Sequence, residues 1–249
     1  LKPRIDQLMV ERGLADSREK ARSLLLAGVV TVNGQRVDKA GAQVPADAAI
    51  EVAEPMRYVS RGGHKLEAAL DHWAIRVDGK VCLDCGSSTG GFTDCLLQRG
   101  ALRVHAIDVG RGQLHWKLRN DARVVVHEGV NARHLEPALI GEPADLAVCD
   151  VSFISVTLIL PALIPALRRP RELVVLVKPQ FEAGRGQVGR GGIVRDPAVH
   201  AAACQRVQEA AGRLGLVTRF MESPLLGAEG NKEFLLYAHD PDSRHPLEA

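Results

Sequence analysis

The sequence predicts an α/β fold, a mostly parallel sheet covered by helices on both faces, preceded by a small α+β module. Three observations predict it. From Lys80 onward, apolar runs of strand length alternate with stretches of helical periodicity, the pattern of a parallel sheet. Before Glu54 the pattern is different, with two short helical repeats followed by β-branched runs around a hairpin turn. Finally, 249 residues at 46% hydrophobic and 25% charged suit one large domain plus one small one, and not a disordered, collagen-like or coiled-coil chain.

Ile5, Leu8 and Met9 recur at helical spacing until Gly13, and a second helix runs through Arg18, Ala21, Leu24 and Leu25 with Asp16 or Ser17 as its cap. Val29-Val30-Thr31-Val32 reads as a strand, Asn33-Gly34 as a hairpin turn, and Gln43-Val44 and Ile50-Glu51-Val52 as further short strands. The module is placed at residues 1–56, a linker at 57–63, the large domain at 64–242 and a tail at 243–249. In the large domain a helix is expected from about His64 to Trp73. Strands are expected at Val81–Cys85, Val104–Asp108, Val124–Val126, Leu146–Asp150 and Leu173–Val177, with helices after Gly90-Gly91, near Gln113–Leu118 and over Pro197–Leu214. Two last strands, Leu216–Met221 and Glu233–Ala238, have no helix between them, which predicts an antiparallel end to the sheet.

Composition excludes several classes. Five cysteines, an odd number, argue against a disulfide framework, and Leu1-Lys2-Pro3-Arg4 lacks the apolar stretch of a signal peptide, so the expected compartment is the cytoplasm. Leu146–Leu167 carries few charges, but Asp150 interrupts it and Pro161 and Pro165 punctuate it, which fits a buried strand and helix better than a membrane span. With 32 Lys+Arg against 30 Asp+Glu, bulk charge makes no case for nucleic acid.

The chemistry gathers at strand ends, where open α/β sheets bind their ligands. The first strand delivers Asp84, and Gly86-Ser87-Ser88-Thr89-Gly90-Gly91 with Phe92 leads into a helix, so the backbone passes close to a ligand and helix N–H groups face it. This loop is GxxxGG, not the GxGxxG that grips a pyrophosphate, and a ligand without phosphates fits better. Asp108 ends the second strand and suits a ribose diol; Glu128 to Asn131 follow the third and suit adenine. Together they describe a nucleoside cofactor, S-adenosylmethionine being the obvious one, while a plain strand-to-helix turn capped by Asp108 is the alternative. Gly184-Arg185-Gly186-Gln187-Val188-Gly189 matches GxGxxG literally, but it is too long for a tight turn and the acidic residue it requires falls inside a helix near Glu209. Its arginines suit a phosphodiester backbone better, and a solvated loop stays open as a reading. Asp150 closes the fourth strand and Lys178 the fifth, facing one crevice. Partial desolvation favours a neutral lysine, a general base, while an ion pair with Asp150 is the structural alternative. Cys82 and Cys85 form a lone C-x-x-C without a second ligand pair, which fits small buried hydrophobes, and no metal site is expected.

These residues resemble a known family. Arg4-Ile5-Asp6, Gly13-Leu14, Ser17-Arg18, Ala21, Gly28 and Val32-Asn33-Gly34 resemble the S4 module, a small RNA-binding domain named after a small-subunit ribosomal protein. Ser60-Arg61-Gly62-Gly63-His64-Lys65-Leu66, the stretch Asp84 to Phe92, Asp150-Val151-Ser152-Phe153-Ile154-Ser155, Val177-Lys178-Pro179-Gln180-Phe181-Glu182 and Asn231-Lys232-Glu233-Phe234 resemble the FtsJ-type RNA 2′-O-methyltransferases. From about Arg4 to Asp240 the combination is similar to the TlyA family, often labelled hemolysins. The resemblance implies a Rossmann-like class I methyltransferase fold, with S-adenosylmethionine held by Asp84, Gly86, Ser87, Ser88, Thr89, Gly90, Gly91, Phe92, Asp108, Asn131 and Asp150. It implies a tetrad of Lys65, Asp150, Lys178 and Glu233, in which Lys178 is the base, Lys65 assists it and holds the ribose, and the carboxylates orient both ammonium groups. The implied reaction is 2′-O-methylation of cytidine in ribosomal RNA, and the complete N-terminal module favours both ribosomal subunits over one. Val151-Ser152-Phe153 after Asp150, in place of the Pro-Pro-aromatic run that grips an exocyclic nitrogen, favours ribose over base.

The cations expected to meet RNA are Arg4, Arg18, Lys20, Arg22 and Arg36 in the small module, Arg61 in the linker, and Arg185, Arg190 and Arg195 in the glycine-rich loop. Charge is distributed accordingly: residues 1 to 65 hold eleven Lys+Arg against eight Asp+Glu, and residues 178 to 195 hold four against one. No Phe, Trp or Tyr precedes Tyr58, so the module is expected to read folded RNA through phosphates and shape. Two other readings stand beside this one. A membrane-damaging cytolysin lacks a spanning segment and interfacial aromatics here, and a non-catalytic ribosome-binding protein has no use for an intact tetrad.

Overall fold

The Asn33-Gly34 turn organises the N-terminal unit. Both residues have positive φ, 50° and 78°, as a two-residue hairpin loop of type I′ requires. The turn joins β1 (Val30–Val32) to β2 (Gln35–Arg36), and β3 (Ile50–Val52) pairs on the other edge of β1. Ahead of them lie α1 (Ile5–Glu11) and α2 (Arg18–Leu26), the latter capped by Ser17, whose hydroxyl accepts from the Lys20 N–H at 3.1 Å. Ile5, Met9, Ala21, Leu25 and Val30 are fully buried and form the core of this unit. Gln43-Val44 does not become a strand. Gln43 makes a single bridge to Arg4, and Pro45 next to this pair brings no N–H to continue a ladder.

This computed structural model describes residues 2–53 and 57–241, and the chain divides into units Leu1–Arg57 and Tyr58–Ala249. The expected tail at 243–249 lies outside the described residues. Residues 58–63, expected in the linker, belong with the second unit: Tyr58 is buried in its core, and the Val59 N–H donates to Asp94 Oδ2 at 2.9 Å.

The second unit is built on a seven-stranded sheet in the order β6-β5-β4-β7-β8-β10-β9. These are β4 (Val81–Cys85), β5 (Arg103–Asp108), β6 (Val124–Glu128), β7 (Leu146–Cys149), β8 (Glu172–Val177), β9 (Val217–Glu222) and β10 (Phe234–His239). The first five run parallel, and β10 inserts between β8 and β9, antiparallel to both. Alternate residues face opposite cores: Leu235 and Tyr237 join Leu66, Leu70, Phe92 and Leu96, whereas Leu236 and Ala238 join Leu83, Ile107, Leu163 and Val207. Helices α3 (Gly62–His72), α4 (Gly91–Gln98), α5 (Trp116–Arg119), α6 (Leu160–Leu163), α7 (Pro179–Glu182) and α8 (Pro197–Arg213) complete the unit. Two are shorter than their sequence suggests. The stretch after Gln113 is helical only from Trp116, and the apolar run after Asp150 is cut to four α-helical residues between 3₁₀ turns, since Pro161 and Pro165 remove backbone donors. Among the described residues no helix is long and apolar enough to cross a membrane.

Candidate active site

The insertion of β10 is what assembles the site. Its register pairs Phe234 with Val177, so Glu233, one residue before β10, arrives at the end of β8 where Lys178 emerges. Asp150 follows the adjacent β7, and Lys65 comes from the first turns of α3. Lys65 Nζ donates to Glu233 Oε2 at 2.5 Å, and Lys178 Nζ lies 2.6 Å from Asp150 Oδ1 while donating to Ser152 Oγ at 2.9 Å. Lys65, Asp150 and Lys178 line one cavity of about 410 Å³, together with Arg61, Ser87, Thr89, Gly91, Phe92 and Gly227. Glu233 stands behind it, reached through Lys65.

A second cavity, of about 450 Å³, shares Gly86, Ser88, Asp150 and Ser152 with the first. Ile107, Val130, Ile154 and Ile159 give it apolar walls, and Asp108 and Asn131 give it polar corners. Asp108 Oδ2 accepts from the Ser88 N–H and Oδ1 from the Gly110 N–H, each at 2.7 Å, which leaves each oxygen a further lone pair for a diol. Gly86 sits at φ 82°, and a Cβ there would lie 2.4 Å from the Asp150 carbonyl, so the backbone itself forms the floor between the cavities. These residues fit a nucleoside with a short charged arm, as S-adenosylmethionine is.

Two of the expected cofactor contacts line neither cavity. Asp84 is fully buried and accepts from Thr93 Oγ1 at 2.5 Å; burial lifts its carboxyl to about 7, against the pull of that hydrogen bond and with Asp150 and Asp108 adding to the lift. Gly90, in the left-handed region at φ 99°, caps α4 beneath Leu118, where a Cβ would lie 2.2 Å from the Leu118 side chain. Both shape the loop from behind.

The cations expected on RNA are dispersed. Arg61 lines the cavity that holds Lys65 and Lys178. In the N-terminal unit Arg4, Arg18 and Arg22 line a groove with Lys39, and Lys20 and Arg36 are exposed. Arg4 and Arg18 both bind Asp6, at 2.9 and 3.1 Å; the Arg4 hydrogen bond is the main force holding that carboxyl down to about 2. Arg190 and Arg195 are exposed, and the Arg185 side chain lies outside the described residues. The glycine-rich segment makes two 3₁₀ turns, Arg185–Gln187 and Arg190–Gly192, and α8 begins only at Pro197, so the literal GxGxxG opens no α-helix. Cys82 and Cys85 are buried, burial pushes the Cys82 thiol up to about 12, and no group of three or more metal-ligating side chains occurs among the described residues.

Sequence reasoning assigned no role to three residues that hold the site. Glu182 is buried and accepts from Ser155 Oγ at 2.5 Å and from the Val156 N–H at 2.8 Å, clamping the loop that carries Asp150 and Ser152; burial raises its carboxyl. Asn231 Oδ1 accepts from the Val194 N–H and its Nδ2 donates to the Gly192 carbonyl, both at 3.0 Å, tying the glycine-rich loop to the segment that delivers Glu233. Phe153 projects at φ 66°, tilted against Phe181, and lines the second cavity. All three fall within the strings that carry the resemblance, which was the available signal.

A family model described as FtsJ-like methyltransferase matches residues 58–239, and one described as S4 domain matches residues 3–50. The chain is 48% identical over 244 residues to the 16S/23S rRNA (cytidine-2′-O)-methyltransferase TlyA of Mycobacterium tuberculosis, covering 97% of this chain and 91% of that protein. It is 44% identical over 240 residues to a protein of Brachyspira hyodysenteriae named Hemolysin A, covering 94% of this chain and 98% of the other. A solved structure from Streptococcus thermophilus, labelled a hemolysin, superposes with a TM-score of 0.74 at 44% identity, covering 97% of this chain and 90% of that one.

Proposed function

Because this chain belongs to the TlyA family, FtsJ-like methyltransferases with an S4 domain ahead, we propose that it methylates the 2′-hydroxyl of a cytidine ribose in ribosomal RNA. The observation that carries the reading is Asp150, which lines both cavities while pairing with Lys178, so a proton-handling amine stands where a cofactor cavity meets a cationic one.

S-adenosylmethionine, when bound, supplies an electrophilic methyl group. Asp108 would hold its ribose diol, and Val130, Asn131, Ile154 and Ile159 its adenine. On the other side Lys178 Nζ, in its neutral form, removes the proton from the 2′-hydroxyl, which is a poor nucleophile until that proton leaves. Asp150 and Ser152 aim that nitrogen. Lys65, pinned by Glu233, puts a positive charge beside the oxygen as it becomes electron-rich. Arg61, Arg190, Arg195, the exposed Lys20 and the groove cation Arg22 would meet phosphates, positioning the RNA without reading its sequence. The substrate places the enzyme with ribosomes, in the cytoplasm.

The test supplies methyl-labelled cofactor with separated small and large ribosomal subunits from cells lacking the activity. Label is expected in both. Label in one subunit restricts the substrate to that subunit, and label in neither removes the reading.

A further inference from the structure

Of the nine Phe, Trp and Tyr side chains, two are exposed, Phe153 at 92% and Trp116 at 70%. Phe153 belongs to the cofactor cavity. Trp116 lines neither cavity and has no part in the proton transfer above. An indole left in water forgoes the largest apolar burial any side chain offers, and nothing in the local fold calls for an apolar residue there. Leu114 and Leu118, two residues to either side, are the ones that turn inward, closing on Gly90, so position 116 on α5 faces outward whatever occupies it. An outward position ordinarily takes a polar residue.

The surroundings indicate the partner. The His115 N–H donates to the Thr89 carbonyl at 3.1 Å, which fastens the turn carrying Trp116 to the loop lining the catalytic cavity. Residues 109 to 120 contain Arg111, Lys117 and Arg119 and no Asp or Glu, and all three cations are exposed. From other elements Glu128 pairs with Arg119, and Asp94 lies 3.8 Å from Lys117, which remains 60% exposed. A flat ring among cations, beside a cavity that takes a ribose, matches an unpaired nucleotide: the base lies on the ring and its phosphates meet the cations. A 2′-hydroxyl that reaches Lys178 inside a cavity brings neighbours already pulled out of a helix.

We infer that Trp116 is a stacking platform for an unpaired RNA base next to the nucleotide whose ribose enters the catalytic cavity, with Arg111 and Lys117 on the adjoining phosphates. The inference rests on the RNA-methylation reading for its substrate, but it can be tested separately. Trp73, the other tryptophan, is buried and stacked on Tyr237, so the iodide-quenchable fluorescence of the full chain reports Trp116. A hairpin RNA with an unpaired pyrimidine loop should shield it several-fold, and a fully paired duplex of the same stem should not. In turnover with unmodified subunits, Trp116→Ala should raise KM about tenfold and leave cofactor affinity unchanged, Trp116→Tyr should restore KM, and Trp116→Leu should not. Quenching indifferent to the loop RNA, equal shielding by the duplex, or rescue by Leu as complete as by Tyr, the mark of an apolar protein contact, would each overturn the inference. If no variant and no wild-type protein methylates any subunit, the methyltransferase reading fails while the quenching result still decides the platform.

Discussion

Two lysine–carboxylate pairs serve one cavity and differ in how their carboxylates are enclosed. The Glu233 side chain is 3% exposed and stands behind Lys65; the Asp150 side chain is 24% exposed and lines both cavities. A sealed carboxylate has no room to follow its partner, so Lys65 is a charge fixed in place. An open one, with Ser152 sharing the ammonium, would let Lys178 turn toward a hydroxyl in the cavity, as the proposed mechanism requires. On the proposed mechanism the same chemical pair gives a fixed positive charge in one setting and a proton acceptor in the other, because burial sets the cost of separating the partners.

Substitutions can break that contrast. Lys178→Ala should lower methyl transfer about 10³-fold or more while calorimetric cofactor affinity and thermal stability stay near wild type; retained turnover would remove Lys178 as the base. Lys65→Ala should cost stability as well as activity, since it strands a buried carboxylate: about 3 kcal/mol or more, seen as a melting temperature lower by roughly 10 °C. Replacing both partners, Lys65→Met with Glu233→Leu, should recover most of that stability and none of the activity, which no purely structural role for the pair allows.

Asp84 extends the contrast to a buried carboxyl with no lysine. Its ordinary value of 3.8 is lifted to about 7, so the stability this shift contributes is complete below pH 3.8 and is lost as pH rises through 7. Asp84→Asn removes the ionisation, and its melting temperature relative to wild type should be higher at pH 8 than at pH 5, by the equivalent of about 2 kcal/mol; a gap constant with pH would contradict the assignment. The smallest effect is expected at Gly227, where a Cβ would lie 1.9 Å from Glu233 Oε1. Gly227→Ala should displace that carboxylate and lower kcat about tenfold with cofactor affinity unchanged, measured by single-turnover kinetics.

The part of the site at strand ends is legible in the sequence. Asp84, Asp108, Asp150 and Lys178 each close an apolar run, and a parallel sheet brings such ends to one edge. The rest is not, for a physical reason. Lys65 and Glu233 pair across 168 residues, and the place of β10 between β8 and β9 has no local signature, so only the resemblance could name them. Glu182 and Asn231 act through hydrogen bonds to backbone groups of distant loops, which composition and periodicity do not encode. Tyr58 reads as linker because its neighbours are polar and glycine-rich, yet it is fully buried: a Cβ on Gly63 would lie 2.2 Å from its ring.

On the proposed function, the open lysine pair prepares a ribose oxygen to take the methyl group. The direct test is mass-spectrometric analysis of nucleosides from ribosomal subunits incubated with the protein and methyl-labelled cofactor. The account predicts 2′-O-methylcytidine with wild type and none with Lys178→Ala; label on a base, or undiminished 2′-O-methylcytidine with Lys178→Ala, would contradict it.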